Sequence, residues 1–123
     1  MIGKLGLIMV VVKDMDRSVA FYRDVLGLKL QFQTPEWSQF DAGNIHVGLH
    51  AESAQLKAHP TESAQFGFYV DDIQKTLSEL KRRDVHILMP PKQEEFGILS
   101  ILTDPDGYHI EICQLAATGR SAA

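Results

Sequence analysis

VVVKDMDRSVAFY (residues 10–22) and FYVDDIQKTLSEL (residues 68–80) carry one pattern twice. Laid side by side at a shift of 58 residues, Asp14 falls on Asp72, Met15 on Ile73, Arg17 on Lys75, Ser18 on Thr76 and Val19 on Leu77. Each copy leaves an apolar, β-branched run, passes an acidic residue able to cap a helix, and enters a stretch with helical spacing. In the first copy Asp14 or Asp16 can cap the start, Val19, Tyr22 and Leu26 share a face, and Gly27 can close the helix in a left-handed conformation. In the second, Ile73, Leu77 and Leu80 share a face.

Working outward, the flanks repeat as well. LGLIMVVV (5–12) reads as a strand covered on both faces, because it is apolar without alternation. LKLQFQ (28–33) alternates as a strand, and SQFDAG with NIHVGLHA reads as a hairpin near Gly43. Residues 51–64 have no periodicity and read as a loop. The series then restarts with AQFGFYV (64–70), the helix DDIQKTLSELKRRD, the strand VHILM ended by Pro90 and Pro91, and the strands FGILSILT and YHIEICQL. The reading is α+β: two βαβββ modules whose open faces curl toward each other, forming a mixed sheet around a cavity. The expected organisation is a single domain over 1–117, with module one at about 5–51, a linker at about 52–63, module two at about 64–115, and a flexible tail at 118–123.

Composition narrows the function. The chain has 123 residues, 45% hydrophobic and 23% charged, which suits one ordinary globular domain. Sixteen acidic against twelve basic residues give a net charge of −4, and no Lys/Arg run forms a stripe. Nucleic acid and anionic membranes are therefore poor partners. Cys113 is the single cysteine, so no intrachain disulfide forms, and it reads as a buried inert thiol. Lys13 and Asp14 cut the first apolar run too short for a membrane span, and no cleavage site follows. The expected location is the cytoplasm.

The remaining signal lies in DPDGYHIEI (104–112). Asp-Pro-Asp-Gly launches the strand from a tight turn. Alternation then sets Ile110 and Ile112 against His109 and Glu111. Taken together, VKDMDRSVAFYRDVLGL (12–28), FYVDDI (68–73), Phe96-Gly97 and DPDGYHIEI, in this order, resemble the vicinal oxygen chelate superfamily of glyoxalases, bleomycin-resistance proteins and extradiol dioxygenases. The resemblance implies four inward positions around a divalent metal, which fall here on Leu7, Gly48, Gln65 and Glu111. Leu7 and Gly48 offer no donor, so the metal set reduces to Gln65 and Glu111 and is incomplete. His46 and His50 lie two residues either side of Gly48 and share its face, nearly 7 Å away along a strand, and they read as polar lining. His59, His86 and His109 show no useful spacing and are expected on loops or exposed strand faces.

Leu7, Met9 and Val11 would form an apolar cavity wall. Trp37, expected in the loop before the hairpin, and Phe96 are further lining candidates. The leading expectation is a protein that binds a small, partly apolar molecule in the inter-module cavity without a full metal site and without a tightly bound cofactor. The resemblance adds an expected homodimer. The alternative is a metal-dependent lyase, isomerase or dioxygenase holding Zn, Ni, Mn or Fe through Gln65, Glu111 and a nearby histidine, with Glu111 as the catalytic base. A regulatory module with a vestigial cavity is the third class.

Overall fold

The structure, a computed structural model, describes residues 1–61 and 63–117. The tail expected at 118–123 lies outside the described residues. Two compact units divide the chain between His59 and Pro60.

Unit 1 contains β1 (Leu7–Val12), α1 (Met15–Ala20), β2 (Lys29–Gln33), β3 (Trp37–Asp41) and β4 (His46–Ala51). Unit 2 contains β5 (Phe66–Tyr69), α2 (Ile73–Arg82), β6 (Ile87–Glu94), β7 (Gly97–Thr103) and β8 (His109–Leu115). The sheets have the same plan, β1-β4-β3-β2 and β5-β8-β7-β6. In each the first strand pairs parallel with the last, and the other pairings are antiparallel. The internal repeat is thus a repeat of topology.

The two aligned aspartates do one job. Asp14 accepts from the Arg17 amide at 3.0 Å, and Asp72 accepts from the Lys75 amide at 3.1 Å. Each satisfies an amide that the first helical turn leaves without a partner. Asp16, the other capping candidate, instead accepts from Gln33 at 2.8 Å. α1 runs on as a π-turn over Phe21–Val25, and Gly27 closes it at φ 81°. At the end of α2 the left-handed position falls to Asp84, φ 59°, a residue type that tolerates it.

One face of each sheet is covered by its helix. Val10, Val12, Val47, Leu49 and Phe40 are buried with Val19 and Tyr22 in unit 1. Leu102, Ile110 and Ile112 are buried with Ile73, Leu77 and Leu80 in unit 2. Gln114 reaches back to accept from the Ile73 amide at 2.9 Å, tying β8 to the start of α2.

Three expectations are corrected. β1 is not covered on both faces along its length: Leu7 is 45% and Met9 42% exposed, while Val10, Val11 and Val12 at its end are buried. A run without alternation hides which face stays open. Pro90 and Pro91 do not end β6, which continues to Glu94. β6 is an edge strand with register shifts between Ile87 and Lys92, so the missing proline amides cost no ladder bond. Trp37 is not in a loop; it opens β3.

Candidate functional site

The helix-free face of unit 1 is assembled by strand register. Leu7 pairs with His46, Met9 with Gly48 and Val11 with His50 across the parallel β1–β4 ladder. Trp37 pairs with His50 and Gln39 with Gly48 across β3–β4. Period-two alternation places all of them on one side. Leu7, Met9, Val11, Trp37, His46, Gly48 and His50 share this face.

Trp37 is fixed from several directions. The Thr34 hydroxyl donates to the Trp37 carbonyl at 2.7 Å and accepts from its amide at 2.9 Å, which sets the start of β3. The indole N–H donates to Gln39 Oε1 at 3.4 Å, and Gln39 in turn donates to Gln31 at 2.9 Å. The rings of Trp37 and His50 meet edge-on, with centroids 6.2 Å apart. His50 also points Nδ1 at the Ala51 carbonyl, 2.6 Å away. The benzo ring reaches across to Gly48, a diagonal neighbour in the ladder. A Cβ built on Gly48 would lie 2.0 Å from Cη2 and 2.3 Å from Cζ2 of the indole. The sequence showed an empty position at 48; the fold fills it from the next strand.

In unit 2 Glu111 pairs with Gly67 across β5–β8, and with Ile101 across β7–β8. Its side chain lies opposite Ile110 and Ile112, which are buried on the helix side. The turn before it is held by Asp104, whose carboxylate accepts from the Asp106 and Tyr108 amides, each at 2.9 Å. Gln65 lies just ahead of β5 and donates to His109 Nδ1 at 3.4 Å. His109 and Glu111, two apart on β8, share a face. Sequence reasoning left His109 without a role; its alternation with Glu111 was legible, but its closeness to Gln65 depends on a pairing 44 residues away. Phe96 sits on the turn between β6 and β7, 48% exposed, with its carbonyl accepting from Ala116 at 2.8 Å. Burial and the nearby Glu111 charge push the Cys113 thiol up, so it stays protonated and unreactive.

A divalent metal in the arrangement that the resemblance implies does not fit these residues. Unit 1 would have to supply donors from Leu7 and Gly48, and the space of a side chain at 48 belongs to the indole. Among the described residues no group of three or more His, Cys, Asp or Glu side chains is placed to hold a metal. A separate recess of about 560 Å³ opens beside α1, lined by Asp14, Met15, Asp16, Gln33, Thr34 and Pro35. Its polar groups already serve the cap, the Asp16–Gln33 bond and the Thr34 turn.

Residues 4–112 match the Glyoxalase/Bleomycin resistance protein/Dioxygenase superfamily, and the chain belongs to that family. It is 25% identical over 117 residues to the phenazine antibiotic resistance protein EhpR of Enterobacter agglomerans, covering 89% of this chain and 91% of that one. It is 26% identical over 121 residues to a probable chloroplastic lactoylglutathione lyase of Arabidopsis thaliana, covering 87% of this chain but only 34% of that protein. The crystal structure of TnmS3, an antibiotic binding protein from Streptomyces sp. CB03234, shares the fold, with a TM-score of 0.79 and 24% identity over 94% of this chain and 98% of that chain. Among the described residues no helix is long and apolar enough to cross a membrane.

Proposed function

We propose that this protein binds a small, partly apolar and planar molecule on its open sheet faces, and that it acts as a homodimer. The observation that carries the reading is Trp37, a half-buried indole held by Gln39 and edged by His50 on a face where Leu7 and Met9 stay exposed. An aromatic ring so fixed gives stacking area at little cost in conformational freedom. The kinship with a phenazine antibiotic resistance protein supports a planar ligand. On the open face of unit 2, Glu111, Gln65 and His109 gather polar and charged groups of the kind that orient a ligand.

Calorimetric titration with a panel of planar aromatics, a phenazine among them, tests this. Trp37→Ala is expected to weaken binding by about 1 kcal/mol or more. Equal affinity in the variant would remove Trp37 from the site, and no binding across the panel would end the reading.

The alternative is divalent-metal chemistry. The observation in its favour is the shared face of Gln65, His109 and Glu111, with Glu111 then available as a base. Stoichiometric metal in protein purified without chelator, lost in Glu111→Gln, would establish it.

A further inference from the structure

The two units place their glycines on opposite sides of the same ladder. In unit 2 the glycine is on the first strand, at Gly67, and its partner on the last strand is Glu111. In unit 1 the glycine is on the last strand, at Gly48, and its partner on the first strand is Met9. Gly48 holds the rung that Glu111 holds in the second copy.

Neither glycine is there for its backbone. Left-handed φ values occur at Gly27, Gly43, Gly97 and Gly107, and not at Gly48 or Gly67. Any L-residue can adopt the backbone of Gly48. Three benzo-ring atoms of Trp37, Cη2, Cζ2 and Cζ3, at 2.0, 2.3 and 2.9 Å from an ideal Cβ, are what forbid one. Those atoms are the far end of a side chain, whereas the Cβ built on Gly67 meets Glu111 Cβ at 2.7 Å and its carbonyl oxygen at 2.9 Å. A residue introduced at 48 therefore moves the indole before it moves the sheet.

We infer that the Trp37 indole has taken the space of a side chain at position 48, so that a metal-donating residue at 48 and an indole at 37 exclude each other. Unit 1 thus presents an aromatic surface where the resemblance would put a metal donor. The missing donor at 48 is one half of a coupled pair and not an isolated loss. This holds whether or not the face carries a ligand.

Trp37 is the only tryptophan, so its emission reports this pair alone. In Gly48→Ala the ring must leave the sheet, and iodide quenching is expected to rise about twofold or more as the ring becomes exposed. Circular dichroism confirms that the variant is folded. Unchanged emission and quenching would overturn the inference. The second arm titrates nickel alone into Leu7→His/Gly48→Glu and into the same variant carrying Trp37→Ala. The triple variant is expected to bind nickel at least about tenfold more tightly, since only there can the new carboxylate and imidazole converge. Equal or tighter binding by the double variant, or no nickel affinity in either, would overturn it.

Discussion

Gly67→Ala should destabilise this protein, although the backbone there is acceptable to alanine. Where space and φ permit, such a change gains about 0.4–1 kcal/mol by restricting the unfolded chain. At Gly67 the added methyl would lie 2.7 Å from Glu111 Cβ and 2.9 Å from the Glu111 carbonyl oxygen. Both atoms belong to β8, which is bonded to β7 as well as β5, so they cannot rotate away. Overpacking of this kind costs about 1–3 kcal/mol, which outweighs the entropic gain. Taking both ranges at their middle, a net loss of about 1.3 kcal/mol corresponds to a fall in melting temperature of roughly 4–6 °C for a chain of this length. Urea unfolding followed by circular dichroism would measure it, with Gly6→Ala as the control, since that position has no heavy atom within 4 Å and no positive φ. A Gly67→Ala variant as stable as the parent would refute the argument and mean that β5 and β8 are further apart than described.

Ser38 and Ser100 occupy similar, fully buried positions on the third strand of each unit, yet should behave oppositely. Among the described residues Ser38 Oγ is the buried side-chain polar atom without a partner, so Ser38→Ala should be neutral or stabilising. Ser100 Oγ donates to the Met89 carbonyl at 2.7 Å, so Ser100→Ala should cost about 1 kcal/mol in the same assay. The raised Cys113 thiol makes stability fully present below the ordinary thiol pKa, about 8.5, and lost as pH climbs through the raised folded value. Alkaline unfolding of Cys113→Ala should accordingly be less steep than that of the parent, and an equal slope would reject the assignment. Sedimentation should show a dimer of the 13.8 kDa chain at micromolar concentration, since Leu7, Met9 and Phe32 leave a large apolar area exposed. A monomer at high concentration would refute it.

Local chemistry was enough to read the repeat. The caps at Asp14 and Asp72, the helix faces of α2, the turn at Gly43 and the alternation that turns Glu111 away from Ile110 and Ile112 all depend on residues within a few positions of one another. Those interactions are legible in one dimension because helices, caps and pleats have fixed short periods. What needed the tertiary structure was every relation set by register between distant strands. That Leu7 and Met9 stay exposed follows from the packing of their sheet, and LGLIMVVV is apolar on both sides. That β6 tolerates Pro90 and Pro91 follows from its place at the sheet edge. His109 gained a neighbour in Gln65 only through the β5–β8 pairing. Gly48 shows the difference most clearly. In the sequence it is a missing side chain; in the sheet it is the seat of Trp37, eleven residues earlier, because the β3–β4 ladder brings the indole diagonally onto it. Spacing along the chain names the residues, and the hydrogen-bonded register decides which of them share a space.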